Sequence, residues 1–370
     1  MHTTFGNFIS GKFFPKLFLI LCVAMTFIST YATVEAAKWI FGAAWVSWIV
    51  YPIFVISSFL VLFPKKWNNT RFRKFLNLFR CFSIYYSLLF VPCVILACLP
   101  FIPDWMKALL IFMPIPTGIG IVIRGYWNTR KIETKRYELT LGDSGKNYRI
   151  TFLSDIHMGP YVRSKHIQKI TETIKTLKPD LVVISGDLFD VCNSILEDRS
   201  ELRDISRLLC KIKARDGVYA VLGNHDPSVT DSRMRHFLKD SRIRLLDNQT
   251  VELSDILLVG RTDEGNNVRL SWENTVKCTS QKPMVVLDHK PQGIDEAAEH
   301  GTALVLSGHT HKGQLFPATY FTKLANGKDY FYGLSKKGNT YGITTSGVGF
   351  FALPMRLGTR NEIVDIQLKL

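Results

Sequence analysis

Five short polar segments in the second half of the chain carry side chains of the types that bind metal ions in proteins. They are Asp155-Ile-His157, Gly186-Asp187, Gly223-Asn-His-Asp226, Asp288-His289 and Gly308-His-Thr-His311. Five of the nine histidines lie in these segments, beside several carboxylates and one amide. A set of oxygen and nitrogen donors without thiolates suits Mn²⁺, Fe or Zn²⁺ better than Ca²⁺ or a structural zinc. The segments therefore predict a metal centre.

The candidate ligands are more numerous than one ion needs. They are Asp155, His157, Asp187, Asn224, His289, His309 and His311. Two ions about 3.5–4 Å apart clamp a phosphate, lower the pKa of a bridging water and stabilise an in-line displacement. We therefore predict two divalent ions that share a bridging carboxylate, with Mn²⁺ favoured and Fe or Zn²⁺ as alternatives. The reaction that such a site serves is phosphoester hydrolysis.

Each polar segment follows an apolar run that reads as a β-strand. The predicted strands are Tyr148–Leu153, Leu181–Ser185, Val218–Leu222, Ile256–Val259, Met284–Leu287 and Ala303–Leu306, with later ones near 330–332, 342–345 and 363–369. Apolar spacing of three and four predicts helices over His166–Leu177, Glu197–Ile212, Arg233–Asp240 and Gln292–His300. This order predicts an α/β fold of two mixed sheets with helices outside. The carboxyl ends of the strands line the crevice where ligands bind in such sheets.

Two of the segments place candidate ligands two residues apart. Residues i and i+2 of an extended chain point to the same side. We therefore expect Asp155 with His157, and His309 with His311, to present two ligands each to one space because their backbone is extended.

The ordered set of five segments resembles the calcineurin-like metallophosphoesterase family over residues 148–370. This resemblance implies the same two-sheet fold and a first metal ion held by Asp155, His157, Asp187 and His311. It implies a second ion held by Asp187, Asn224, His289 and His309, with Asp187 as the bridge. His225 would protonate the leaving group or stabilise the transition state, and Asp226 would orient its imidazole or, alternatively, cap the following helix. Arg163, Lys165 and Lys290 flank the site and either contact substrate phosphate or form a solvated face.

The first third of the chain has a different composition. The whole chain is 47% hydrophobic with a net charge of +15, but residues 1–123 hold only 12 of its 77 charged residues. Four apolar segments there, Leu17–Val34, Trp39–Phe63, Phe82–Phe101 and Trp105–Ile123, approach the ~20 residues of a membrane-spanning helix. We predict a four-helix transmembrane region over 1–123, a basic linker over 124–147 and the catalytic domain over 148–370. The alternative for the first segment is a signal peptide.

The charged connections predict the orientation of these segments. Lysine and arginine concentrate before the first segment, between the second and third, and after the fourth, whereas the other two connections are nearly free of them. Cytoplasmic loops carry this excess, so we expect the catalytic domain to face the cytoplasm. The basic and aromatic connection 64–79 either lies among lipid headgroups or is an ordinary stop-transfer cluster. Seven cysteines without a C-x-x-C pair fit a reducing compartment.

The substrate is narrowed by charge and by membrane attachment. Residues 150–370 carry 29 basic and 26 acidic residues, a balance that argues against a nucleic acid partner. A membrane anchor favours a lipid substrate whose phosphate or pyrophosphate reaches the site. The stretches 344–349 and 354–358 are similar to membrane-associated bacterial members, among them UDP-2,3-diacylglucosamine hydrolases of lipid A biosynthesis, which suggests that substrate and an inner-membrane location. Another phospholipid or isoprenoid phosphate, a non-catalytic membrane scaffold or sensor, and a nuclease are the alternatives.

Overall fold

The computed structural model of the protein describes residues 70–190, 194–265, 268–277 and 280–370, together with several helical residues between 24 and 38. The chain forms two compact units. One comprises residues 1–127 with Leu353–Met355, and the other comprises Asn128–Ala352 with Arg356–Leu370. The second unit contains all five polar segments.

The described part of the first unit is helical. Its helices are α1 (Thr70–Ala97), α2 (Asp104–Phe112) and α3 (Pro114–Asn128). Two stretches, Phe72–Ala97 and Asp104–Asn128, are long and apolar enough to cross a membrane. The predicted span Trp39–Phe63 lies outside the described residues, and so does most of Leu17–Val34. The four-helix region is therefore described only in its second half.

The third predicted span begins earlier than we expected. The predicted start is Phe82, but the described residues from Thr70 onward are already helical, so α1 includes residues 70–79 of the basic connection 64–79. The aromatic residues Phe72, Phe75 and Phe79 recur at a spacing of three and four, which continues the helical pattern through the charged residues.

The first sheet of the second unit contains the amino-terminal strands and the last one. Its strands are β1 (Ile132–Thr140), β2 (Asn147–Leu153), β3 (Leu181–Ser185), β4 (Val218–Val221), β5 (Arg244–Leu245) and β12 (Asn361–Lys369). They lie in the order β1-β12-β2-β3-β4-β5. Strand β12 runs antiparallel to β2, and the other neighbours are parallel. The sheet is therefore mixed, as predicted.

The second sheet is built from the strands between them. Its members are β6 (Gln249–Glu252), β7 (Leu257–Gly260), β8 (Met284–Leu287), β9 (Leu304–Ser307), β10 (Gly333–Lys337) and β11 (Thr340–Thr344), in the order β10-β11-β9-β8-β7-β6. The four central strands are parallel, and the two edge strands run antiparallel to their neighbours.

The sheets pack face to face, with helices on their outer faces. The helices are α4 (Ser164–Leu177), α5 (Arg199–Leu209), α6 (Ser232–Asp240), α7 (Trp272–Thr275), α8 (Ile294–Glu299) and α9 (Ala318–Asn326), with short 3₁₀ turns at Ser194–Glu197, Pro291–Gly293 and His311–Gly313. On β3, Leu181 and Val183 pack in the core between the sheets, whereas Val182 and Ile184 pack under α4 and α5. A strand buried on both faces must be apolar at every position, which is why these strands read as continuous apolar runs.

Three features of the second unit differ from the sequence expectation. The predicted linker 124–147 contains β1, which is an edge strand whose exposed charged side chains hide its period-two pattern. The strand expected near 330–332 instead begins at Gly333. The sequence did not predict helix α9, whose large apolar side chains are exposed.

Candidate active site

The polar segments converge at the carboxyl ends of five strands. Asp155 and His157 follow β2, Asp187 follows β3, Asn224 follows β4, His289 follows β8, and His309 and His311 follow β9. Backbone hydrogen bonds join neighbouring loops, since the N–H of Asp155 donates to Gly186 and that of Gly308 donates to His289, each at 3.0 Å. The structure thus brings together all seven predicted metal ligands.

The backbone of this site is not extended, contrary to our expectation. Asp155, His157, Asp187, His309 and His311 all have φ between 49° and 68°. The left-handed region is unfavourable for residues other than glycine, and such residues cluster at functional sites. The paired ligands do come together, but the cause is the left-handed loops after β2 and β9 rather than the alternation of an extended strand.

Glycines in the segments permit the close approach of these loops. A Cβ on Gly223 would lie 2.2 Å from the Oδ1 atom of Asp187. A Cβ on Gly308 would lie 1.9 Å from the hydroxyl of Ser154 and 2.2 Å from the carboxylate of Asp155. Any side chain at either position would push apart the residues that form the site.

The first group of candidate ligands contains Asp155, His157 and His311. The Nε2 atoms of His157 and His311 are 3.0 Å apart, and that of His311 is 3.4 Å from the Oδ1 of Asp155. The Oδ2 of Asp187 lies 3.6 Å from the Nε2 of His157. These four residues are the ones that the family resemblance implies for one ion.

The second group contains Asp187, Asn224, His289 and His309. The Oδ2 of Asp187 is 3.3 Å from the Nε2 of His289, and the Nδ1 of His309 is 3.0 Å from the Oδ1 of Asn224. Because the same oxygen of Asp187 faces His157 and His289, this carboxylate lies between the two groups. It occupies the position of a bridging ligand.

Burial sets the protonation of the imidazoles. It lowers the pKa of His157 to about 4 and, with the charge of His289, the pKa of His309 to about 3. Burial also lowers the pKa of His311, well below its usual range. For His289 burial acts in the same direction, but the carboxylates of Asp187 and Asp155 outweigh it and raise its pKa to about 10. Three imidazoles are thus neutral at pH 7, the form that binds metal ions.

The donor set fits metal ions. The carbonyl oxygen of Ser185 accepts a hydrogen bond from the Nδ1 of His289 at 2.8 Å, which leaves Nε2 as the nitrogen that faces Asp187. Among the described residues, the Oδ2 of Asp187 and the Nε2 of His289 are buried atoms without a hydrogen-bond partner. Ligand atoms of Asp155, His157 and His311, and of Asp155, Asp187 and His289, lie within 4.8 Å of one another. Divalent cations would supply the missing partners of these donor atoms.

His225 lies beside the first group. Its backbone N–H donates to the Oδ1 of Asp187 at 3.0 Å, and its ring stands 5.6 Å from that of His157. The ring stacks on Phe351, with centroids 4.8 Å apart and planes at 24°. Phe351, which the sequence did not single out for the site, thereby contributes to the position of this imidazole.

Asp226 has a contact that we did not predict. Its carboxylate accepts hydrogen bonds from the backbone N–H groups of Phe189 and Gly223, each at 2.8 Å. These bonds tie the loop of Asn224 to the loop after Asp187. Asp226 therefore positions the loop that carries Asn224, and its role in orienting the His225 imidazole stays a prediction.

The three basic residues proposed to contact substrate have different surroundings. Arg163 forms ion pairs with Asp198 at 2.7 Å and Glu201 at 2.9 Å, so it links α4 to α5, and we withdraw it as a substrate contact. Lys165 is exposed on the first turn of α4. Lys290 pairs with the buried carboxylate of Asp263 at 3.1 Å. Since Gly265 packs on Asn224 and hydrogen-bonds Asp263, Lys290 remains near the second group.

Arg356 is a second residue that the sequence did not single out. It is completely buried, and its guanidinium donates to the carbonyl oxygens of Ser346 at 2.6 Å, Gly349 at 2.6 Å and Arg360 at 3.1 Å. The segment 346–349 that Arg356 binds contacts the site, because the N–H of Gly349 donates to the carbonyl of Asp155 at 2.9 Å. Arg356 therefore holds the segment 346–349 against the Asp155 loop.

Arg356→Lys should lower both stability and activity. A lysine has no planar fork of donors, so buried carbonyl groups would lose their partners, at a cost of about 3 kcal/mol. We expect kcat toward bis-p-nitrophenyl phosphate to fall about tenfold because the Asp155 loop loses its support. Thermal unfolding and steady-state kinetics measure the two effects. The control is Arg360→Lys, at a partly buried arginine whose side chain pairs with Glu133 at the surface. Wild-type kinetics in Arg356→Lys would contradict a positioning role.

Comparison with known proteins agrees with this geometry. Residues 148–313 match the model of the calcineurin-like phosphoesterases. A Helicobacter pylori protein named as an uncharacterized metallophosphoesterase is 30% identical over 72% of this chain and 73% of its own length. Proteins named "transmembrane protein with metallophosphoesterase domain" are 35% identical in Danio rerio, over 62% of this chain and 55% of theirs, and 32% identical in Bos taurus, over 62% and 54%. The chain thus spans about half the length of these vertebrate relatives. The family match and the Helicobacter pylori relative show that the chain belongs to the calcineurin-like metallophosphoesterase family of metal-dependent phosphoester hydrolases, and its fold and converging ligands agree with this.

Proposed function

We propose that the protein is a membrane-bound phosphoesterase with two metal ions and a substrate phosphate carried by a lipid. The observation that supports the reaction most directly is the position of Asp187, whose Oδ2 lies 3.6 Å from His157 and 3.3 Å from His289. A carboxylate between two groups of buried ligands is what a two-ion site requires. Two divalent ions, Mn²⁺ in the first instance, would supply charge stabilisation of the phosphoryl group and an activated water.

The chain's own residues would perform the remaining tasks. Asp155, His157 and His311 would hold one ion, and Asn224, His289 and His309 the other. The His225 imidazole, stacked on Phe351, would donate a proton to the leaving oxygen. Lys290, 39% exposed next to the second group, would attract the phosphate anion.

We infer a lipid substrate from the apolar first third of the chain. Two apolar helical stretches in the described residues are long enough to cross a membrane, and two vertebrate relatives are named as transmembrane proteins. A nearly neutral catalytic domain gives little attraction for nucleic acid. A lipid-linked phosphoester or pyrophosphate makes use of both features, with the catalytic domain on the cytoplasmic side of the membrane.

UDP-2,3-diacylglucosamine is the substrate that we propose to test first. It would be cleaved at its pyrophosphate into UMP and 2,3-diacylglucosamine 1-phosphate, the reaction of the lipid A pathway at a bacterial inner membrane. The support is the similarity of segments 344–349 and 354–358 to membrane-associated hydrolases of this type. Arg356, which lies in the second segment, hydrogen-bonds the carbonyls of Ser346 and Gly349 in the first.

The test is to incubate the purified full chain with Mn²⁺ and this lipid in detergent micelles and to measure UMP. We expect UMP release that stops when EDTA removes the metal. The matched control is Arg163→Ala, which should retain activity because Arg163 pairs with Asp198 and Glu201. Cleavage of bis-p-nitrophenyl phosphate without UMP release would reject this lipid and direct the search to phospholipid or isoprenoid phosphates. Loss of both activities would reject the phosphoesterase itself.

A further inference from the structure

Helix α9 is oriented with its apolar side outward. Tyr320, Phe321 and Leu324 lie within one face of the helix, because their positions differ by about 100° and 40° around its axis. Their side chains are 62%, 50% and 72% exposed. The partly buried residues of the helix are small or polar: Ala318, Thr319, Thr322, Ala325 and Asn326. A helix on a water-facing surface shows the opposite arrangement.

The exposed apolar residues are concentrated at this helix. In the described residues from 128 onward, seven large apolar or aromatic side chains are exposed, and four of them lie between 316 and 324. Single exposed apolar residues are ordinary, whereas a contiguous patch marks an interaction surface. We define the α9 patch as Phe316, Tyr320, Phe321 and Leu324.

Charge indicates what covers the α9 patch. The segment 310–329 contains three lysines, Lys312, Lys323 and Lys328, and one acidic residue, Asp329. Aromatic and leucine side chains flanked by lysines are typical of helices that lie in the interfacial layer of a membrane, where anionic headgroups attract the cations. A protein partner has no comparable requirement for an excess of lysines beside the apolar residues.

The chain between α3 and β1 is short. Helix α3 ends at Asn128 and β1 begins at Ile132, so three residues separate them. An extended chain of that length covers only about 10 Å. If the apolar stretch Asp104–Asn128 crosses a membrane, the catalytic domain must lie at the surface of that membrane.

The α9 patch is also joined to the metal site. Helix α9 follows the loop that carries His309 and His311, and a Cβ on Gly313 of this loop would lie 2.4 Å from the Cα of Thr319. The N–H of Thr319 donates to the carbonyl of Leu315 at 3.2 Å. The helix therefore packs directly on the ligand loop.

We propose that the α9 patch docks on the lipid bilayer, inserting Tyr320, Phe321 and Leu324 into its interfacial layer beside the active site. This inference rests on the proposed function, because it assigns the surface through which a lipid-borne phosphate would enter. It adds the place where the acyl part of the substrate stays while its headgroup reaches Asp187 and His225.

Photocrosslinking tests the docking without any substrate. Replacement of Leu324 by p-benzoylphenylalanine in the full chain, reconstituted in vesicles of phosphatidylcholine and phosphatidylglycerol, should give lipid adducts by mass spectrometry after illumination. The matched control is the same replacement at Val268, which is 71% exposed outside the α9 patch. We expect at least about tenfold more lipid adduct at 324 than at 268. Equal adduct at both positions, or crosslinks from 324 to a second copy of the chain or to another protein, would overturn the proposal.

Kinetics give a second measurement. Phe321→Ser combined with Leu324→Ser should lower kcat/KM toward a lipid-linked phosphate in vesicles by about tenfold or more. Hydrolysis of bis-p-nitrophenyl phosphate should be unchanged, and Val268→Ser should affect neither substrate. An equal loss with both substrates would mean that the helix only supports the ligand loop, contrary to the proposal. If the wild type hydrolyses no lipid phosphate, the proposed function fails, and the crosslinking still decides whether α9 meets the bilayer.

Discussion

Asp187→Ala should abolish metal binding and phosphoester hydrolysis together. The carboxylate faces both groups of ligands, and its Oδ2 is a buried atom without a hydrogen-bond partner among the described residues. Removal of a residue that merely supports a ligand costs about 10–100-fold in metal affinity or activity. For the bridging position we expect a loss of more than about 10³-fold in kcat/KM.

The measurements for this variant separate metal loss from unfolding. Metal content is measured by mass spectrometry of the purified full chain, and activity with bis-p-nitrophenyl phosphate. A ligand that binds only the folded state raises its unfolding temperature, so Mn²⁺ should stabilise the wild type and leave Asp187→Ala unaffected. Asp204→Ala, at an exposed carboxylate on α5, is the matched control and should behave as the wild type. An Asp187→Ala protein that retains two metal ions would contradict the bridging role.

His225→Ala should leave the metal content intact and lower kcat by about 10²–10⁴-fold, the range of a positioned general acid. The imidazole stacks on Phe351 at 4.8 Å, outside the two groups of ligands. The size of the loss should depend on the leaving group. A nitrophenolate leaves without help from a proton, so bis-p-nitrophenyl phosphate should lose least, whereas an alkyl phosphodiester should lose most.

The control for His225 is His236→Ala. His236 lies on α6, where its ring Nδ1 forms a hydrogen bond with the backbone carbonyl of Ser232. Removal of this imidazole should not change kcat. An equal loss with good and poor leaving groups would assign His225 to transition-state stabilisation instead of proton donation. Loss of a metal ion from His225→Ala would make it a ligand, contrary to the assignment.

In the described residues of the first unit, two of the four predicted apolar spans are helical, and the extent of the first of these two differs for a physical reason. Hydropathy identifies where a chain is apolar, so it identified the second half of α1. It does not register that the basic and aromatic residues upstream share the same helical periodicity. The helical conformation of residues 70–81 follows from that periodicity and the continuity of backbone hydrogen bonds.

Residues that act through long-range contacts were not predictable. Phe351 and Arg356 lie in a loop without regular pattern, and the stretch 354–358 that contains Arg356 gave no role for this residue. Their importance comes from stacking on His225 and from binding the carbonyls next to Asp155, contacts between segments far apart in the chain. Asp226 likewise has a contact far along the chain, since its carboxylate accepts a hydrogen bond from the backbone N–H of Phe189.

The sequence by itself determined which side chains form the site and which strands carry them. Strands such as β3 and β8 are buried, so they must be apolar throughout, and the first polar residue after each is visible in the sequence. Only the tertiary structure decided which ligands share a group, since His157 and His311 are 154 residues apart and meet because two sheets pack face to face. It also decided that five ligands lie in left-handed loops and that α9 turns its apolar face outward. Local pattern cannot encode these features, because each depends on what the folded chain places opposite the residue.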